Sequence, residues 1–155
     1  EKDEAPFVIV LDEITDPHNF GSIIRTAESC GAHGIIIPKR RAVGLTPSVI
    51  KASAGAVEFM PIAKVTNIAS TLESLKKHGL WVAGADMDGD LYTSKDLTGP
   101  IALVIGSEGK GLGRLVKEKC DFLIRITQKG RISSLNASVA AGVLMYEIVR
   151  QRGQE

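Results

Sequence analysis

The sequence predicts an α/β domain built on a mainly parallel sheet flanked by helices. Two observations carry this. Phe7 to Leu11, Ile35 to Ile37 and Ile101 to Ile105 are runs of nearly pure aliphatic residues, as strands covered on both faces require. Segments of helical period separate such runs, so strand and helix alternate along the chain.

In chain order, the first strand is expected over Phe7 to Leu11, followed by a turn from Asp12 to Pro17. A helix follows from about Asn19 to Cys30, with Phe20, Ile23, Ile24 and Ala27 as its core face. His18, Gly21, Arg25 and Glu28 then fall on the opposite, polar side. Ile35 to Ile37 is a second strand ended by Pro38. Thr46-Pro47 opens a short helix with Pro at its first position. Val57 to Ile62 reads as a strand, Asn67 caps a helix to about His78, and Leu80 to Ala85 is another strand. Asp86 to Asp90 superficially resembles a calcium loop, but Leu91 and Leu97 stand where such a loop needs Gly and Glu, so it reads as a turn. Ile101 to Ile105 is a fifth strand, Leu112 to Lys119 a helix and Phe122 to Ile126 a sixth strand.

The terminal helix is the most apolar element. From Leu135 to Tyr146 no residue is charged, and Ala137, Ser138, Ala140, Ala141 and Gly142 are small. Such a helix is expected to be buried on every face. Val139, Val143, Leu144, Met145 and Ile148 would contribute about 2 kcal/mol each. The small residues would admit another backbone or a second subunit. Ser133, Ser134, Asn136 and Ser138 crowd its start, where one capping side chain suffices. The surplus is either an over-provided cap or a polar ligand site.

Composition narrows the classes. With 155 residues, 44% hydrophobic and 24% charged, the chain is read as one domain with a proper core, neither disordered nor fibrous. No apolar run reaches the length of a membrane span, and no signal peptide opens the chain. Cys30 and Cys120 could pair, but without a Cys-rich pattern they are expected as reduced thiols in the cytoplasm. Three histidines without partners at ligand spacing predict no metal site. The net charge of +1 does not by itself mark a nucleic-acid binder. Basic residues cluster at Lys39-Arg40-Arg41 and at Lys129 and Arg131, which is ordinary solvated surface unless the clusters flank a site.

Three stretches combine into a candidate pocket. In the first, Leu11 to Ala27, Arg25 lies one turn past Gly21 and either reaches an anionic group or forms a surface ion pair with Asp12, Asp16 or Glu28. The second, Gly106-Ser107-Glu108-Gly109-Lys110-Gly111-Leu112-Gly113, has four glycines in eight positions, which permits close backbone approach to a ligand. It matches neither a Walker A loop nor the dinucleotide fingerprint, since Arg114 stands where a third Gly belongs. A standard Rossmann-type enzyme would carry its Gly-rich loop after the first strand, whereas here it follows the fifth. The third is Lys129 to Ser138. Each of the three follows a buried strand and each is rich in Gly, Ser and Asn, so one composite pocket at the sheet's C-terminal edge is expected.

Together, in order and spacing, these stretches resemble the three signatures of the SpoU (TrmH) family of RNA ribose 2′-O-methyltransferases, within the SPOUT class. Asn19, Gly21 and Arg25 take the places of motif 1, Gly106 to Gly111 with Glu108 those of motif 2, and Ser134-Leu135-Asn136-Ala137-Ser138 those of motif 3. The resemblance covers about Phe7 to Arg150, and is closest to the catalytic domains of RlmB-type 23S rRNA guanosine methyltransferases. Where the family usually has Ile-Pro-Met, this chain has Ile126-Thr127-Gln128.

The resemblance implies a deep C-terminal trefoil knot, a homodimer, and S-adenosylmethionine as cofactor. The substrate implied is a ribose 2′-hydroxyl in structured RNA, a guanosine of 23S rRNA first and tRNA as an alternative. Residues 1–155 would be one catalytic domain, and the non-Met start at Glu1 fits the removal of a separate N-terminal RNA-binding domain. The catalytic residues implied are Arg25, Asn19, Glu108, Ser134 and Asn136. Cofactor contacts would come from Gly106, Ser107, Gly109, Ile126, Gln128, Ser134 and Leu135. Lys39, Arg40, Arg41 and Arg131 are the residues expected on the RNA backbone. A non-catalytic RNA-binding or assembly protein that keeps the fold is the competing reading.

Overall fold

A computed structural model describes residues 4–40, 44–107, 110–132 and 134–153. Arg41, Glu108, Gly109 and Ser133 therefore lie outside the described residues. The strands are β1 (Phe7–Leu11), β2 (Gly34–Pro38), β3 (Ile62–Val65), β4 (Trp81–Leu91), β5 (Ile101–Ile105) and β6 (Phe122–Arg125). The α-helices are α1 (Pro17–Ser29), α2 (Pro47–Ala52), α3 (Ile68–Lys77), α4 (Arg114–Lys119) and α5 (Ala137–Gln151).

All named strand pairs are parallel, and the order across the sheet is β3-β2-β1-β5-β4-β6. The two central strands run in register from Phe7 opposite Ile101 to Leu11 opposite Ile105. Alternation along them divides the core. Ile9 and Leu11 of β1 and Ile101, Leu103 and Ile105 of β5 pack with Phe20, Ile23 and Ile24 of α1 and Leu144, Met145 and Ile148 of α5. Val10, Ala102 and Val104 face the other way, onto Ile68 and Leu72 of α3 and Val116 of α4. Both faces of the sheet are covered, which accounts for strands that are aliphatic at every position.

Local chemistry sets the helix starts. Asp16 caps α1 by accepting from the N–H groups of His18 (2.7 Å) and Asn19 (3.3 Å), with Pro17 at the first helical position. The cap starts α1 two residues before the expected Asn19. Thr46 and Asn67 cap α2 and α3 as their sequences predict. The helix expected from Leu112 begins at Arg114, and Leu112 is instead buried against the second core.

Four expectations are corrected. Val57 to Ile62 is not a strand: residues Ala56–Glu58 form a short 3-10 helix, and pairing begins only at Ile62. Ala56 and Met60, one helical turn apart, are the residues buried there, so a helical spacing replaces strand alternation. Asp86 to Asp90 is not a simple turn but a bulged continuation of β4, in which Ala85 and Asp90 both pair with Ile124. Gly89 permits this, because a Cβ there would lie 2.4 Å from the Leu123 carbonyl carbon.

Gly21, expected on the polar side of α1, is buried under α2. A Cβ at Gly21 would sit 2.4 Å from Ala52 Cβ and 2.9 Å from the Val49 carbonyl oxygen. Finally, α5 is not covered on all sides within the chain. Leu144, Met145 and Ile148 are buried, whereas Val139 is 52% and Tyr146 48% exposed. Cys30 and Cys120 are both free thiols, packed against cores on opposite faces of the sheet.

Candidate active site

A cleft opens at the C-terminal ends of β5 and β6 and beside the bulge of β4, at the edge where parallel α/β sheets bind ligands. It encloses about 650 Å³ of empty space, counting the part open to solvent. Its walls are β4 where its bulge begins (Ala85, Asp86, Met87), the end of β5 and its loop (Ile105, Gly106, Ser107, Gly111), and β6 with its continuation (Ile124, Arg125, Ile126, Gln128). Ser134 and Leu135, with Ala137, Ala140 and Leu144 of α5, complete it. Most of these side chains are apolar, which suits a flat ring system, and the polar groups are few and localised.

The loop after β5 is shaped by glycine. The N–H of Gly111 donates to the Ser107 carbonyl at 3.0 Å, closing the loop on itself. Gly111 adopts φ +69°, and a Cβ at Gly106 would lie 2.2 Å from the Gly111 carbonyl oxygen. Asp12, at the end of β1, anchors the loop from behind. Its N–H donates to Ile105 O at 2.8 Å, and its Oδ2 accepts from the N–H of Gly113 at 3.1 Å. Burial pushes the Asp12 carboxyl up; the Gly113 N–H opposes this, and the charge of Glu13 adds to it.

At the start of α5 a single residue does the capping. Asn136 Oδ1 accepts from the N–H groups of Ser138 (3.0 Å) and Val139 (3.2 Å) and from the Ser138 hydroxyl (2.6 Å). Ser134 and Leu135 are left to line the cleft, within a segment from Ile126 to Asn136 whose described residues belong to no helix or strand.

Of the residues singled out from sequence, Gly106, Ser107, Ile126, Gln128, Ser134 and Leu135 meet at this cleft. Thr127 is exposed and is not among the lining residues. Asn19 and Arg25, on α1, do not line it either. Arg25 is exposed, and its side chain makes no hydrogen bond or ion pair with a described residue, so the surface pair with Asp12, Asp16 or Glu28 is not formed. Arg40 lines a second hollow with Asp12, Glu13 and Asn67. Lys39 and Arg131 are exposed. Asp86 was missed by the sequence reading. Its position at the end of a buried strand, the signal that marked the other loops, was available.

Comparison with known proteins agrees with this geometry. A model of the SpoU rRNA Methylase family matches residues 6–146. The protein YacO of Bacillus subtilis (strain 168), named as a TrmH family tRNA/rRNA methyltransferase, is 62% identical over 153 residues, covering 98% of this chain and 61% of its own. The chain thus spans less than two thirds of that relative's length. Among solved structures, the SpoU methyltransferase AviRb of Streptomyces viridochromogenes in complex with AdoMet is similar with a TM-score of 0.87 at 34% identity, over 97% of this chain and 62% of that one. An RNA 2′-O ribose methyltransferase is similar with a TM-score of 0.86 at 28% identity, over 98% of this chain and 58% of that one. With the match extending over nearly its whole length, the chain belongs to the SpoU rRNA methylase family.

Proposed function

We propose that this chain transfers a methyl group from S-adenosylmethionine to a ribose 2′-hydroxyl of structured RNA. The observation that carries the reading is the cleft, whose walls come from the loop after β5 and the segment before α5, two of the three family signatures. The residues fit the cofactor. The walls at Ile105, Ile124, Ile126, Leu135 and Leu144 suit an adenine ring, and the backbone near Gly106, Ile126 and Leu135 offers peptide groups for its polar edge. Gly106, Ser107, Gly109, Ile126, Gln128, Ser134 and Leu135 are the cofactor residues on this reading.

When bound, the cofactor supplies a methyl activated on sulfonium, whose bond to sulfur breaks as a bond to the ribose oxygen forms and a proton leaves that oxygen. Some group must accept the proton and hold the hydroxyl in line. Arg25 is assigned the second task. A guanidinium almost never gives up its proton, so Arg25 clamps the RNA phosphate and orients the hydroxyl while a phosphate oxygen takes the proton. Asn19 and Glu108 position Arg25 or the ribose, and Ser134 and Asn136 shape the pocket. Because Arg25 is exposed and does not line the cleft of its own chain, it serves this role in a homodimer, with Arg25 of one subunit reaching the cleft of the other.

The same reading includes a trefoil knot formed by the C-terminal segment, which would fold the three loops around one ligand. It takes residues 1–155 as one catalytic domain. The favoured substrate is a guanosine of 23S rRNA, with tRNA as the alternative, and Lys39, Arg40, Arg41 and Arg131 on its phosphates; the reaction is placed in the cytoplasm. Incubation with methyl-labelled S-adenosylmethionine and separate rRNA and tRNA pools, followed by nucleoside mass spectrometry, tests this. A 2′-O-methylated nucleoside supports the reading and names the RNA. Cofactor binding without label in either pool would favour a non-catalytic RNA-binding protein.

A further inference from the structure

Asp86 is the only acidic side chain among the described residues that line the cleft, and none of the three signature stretches contains it. Its side chain is 9% exposed. Oδ1 accepts from the N–H of Asp88 at 3.0 Å and lies 3.3 Å from Lys117 Nζ. Oδ2 takes no hydrogen bond from a described residue and faces Gly111, where a Cβ would lie 3.1 Å from it. The second oxygen is therefore held against the glycine loop at the cleft wall. A carboxylate oxygen without a protein partner among the described residues, on a side chain this nearly buried, is an acceptor open to a donor on a ligand.

Lys117 engages only one side of Asp86. Its ammonium lies 2.6 Å from Asp88 Oδ2 and 3.3 Å from Asp86 Oδ1, so it is shared between two carboxylates and leaves Asp86 Oδ2 as the acceptor that a ligand donor would meet. A carboxylate accepting from a ribose hydroxyl is a recurrent pairing in nucleotide sites. Resting on the cofactor reading above, we propose that Asp86 binds a ribose hydroxyl of S-adenosylmethionine through Oδ2.

The test is calorimetric titration of the unaltered protein and Asp86→Ala with three ligands: S-adenosylmethionine, S-adenosylhomocysteine and 5′-methylthioadenosine. They share the adenosine ribose but differ in sulfur charge and amino-acid tail. Asp86→Ala is expected to weaken all three by about tenfold, as the loss of a hydrogen bond to a charged group implies. Unchanged binding overturns the proposal. So does a loss confined to the two ligands that carry the amino-acid tail, which would place Asp86 at that end instead.

A ligand-side arm does not depend on the variant's folding. The 2′,3′-dideoxy form of 5′-methylthioadenosine should bind the unaltered protein about tenfold more weakly than its parent, and should lose nothing further with Asp86→Ala. Equal binding of the two forms overturns the ribose contact. Failure of the unaltered protein to bind any of the ligands would overturn the cofactor reading and this contact with it. Unaltered affinity in the variant overturns the contact alone.

Discussion

The carboxylate of Asp12 accepts a hydrogen bond from the backbone N–H of Gly113 at 3.1 Å, tying the end of β1 to the far end of the glycine loop. Two segments 101 residues apart are joined behind the cleft by one side chain. Asp12→Ala leaves that N–H without its partner and should cost about 1–3 kcal/mol, read as a lower urea midpoint at unchanged slope. Asp12→Asn keeps a carbonyl acceptor and should cost less. The pH dependence follows from the upward shift of this carboxyl. The folded chain binds the proton more tightly than the unfolded one, so stability falls as pH rises from the unfolded carboxyl pKa through the folded one. Asp12→Asn should remove that fall, which urea unfolding from pH 4 upward would register.

Arg25 has no partner among the described residues, so Arg25→Ala should change stability by less than about 0.5 kcal/mol. On the proposed reading, methyl transfer should nevertheless be lost while cofactor affinity stays near that of the unaltered protein. Parallel loss of both would make Arg25 structural.

Gly21 marks the closest approach of α1 to α2. A methyl group there would meet Ala52 Cβ at 2.4 Å and the Val49 carbonyl at 2.9 Å, and backbone cannot move aside as a flexible side chain can. Gly21→Ala should destabilise by about 1–3 kcal/mol despite the better helix propensity of alanine. Thermal or urea unfolding would measure it, and a stabilised variant would contradict this packing.

Burial pushes the Cys30 thiol up to about 11 and the Cys120 thiol up to about 12. The thiolate is the reactive form, so both should be nearly inert to a disulfide reagent at pH 8 and react rapidly in denaturant. Fast labelling of the folded chain at either cysteine would contradict the burial.

Neutralising Lys39 and Arg40 together should flatten the salt dependence of RNA binding by about two phosphate contacts' worth of slope. An unchanged slope in filter binding across a salt series would move the RNA path elsewhere on the surface.

Much of this architecture can be read from the chain because its main signals are local. Phe7 to Leu11 and Ile101 to Ile105 announce doubly covered strands through their side chains alone, and the glycine loop is identified by the strand before it. What escapes a reading of the sequence depends on distant partners. Gly21 looks polar-facing until α2 packs on it, and Asp86 looks like part of a turn until Gly89 lets β4 fold against the backbone of Leu123. Val139 and Tyr146 show the converse. Their hydrophobicity predicts burial, but the described residues cover only about half of each.

On the proposed reading, the cleft between β4, β5, β6 and α5 holds S-adenosylmethionine with Gln128 in its wall. Calorimetric titration of the purified protein with S-adenosylmethionine tests it directly. Saturable binding that weakens when Leu135 is replaced by a bulky charged residue in the cleft wall is the predicted result. No heat of binding at millimolar cofactor would contradict the account and leave a family fold whose cleft serves some other purpose.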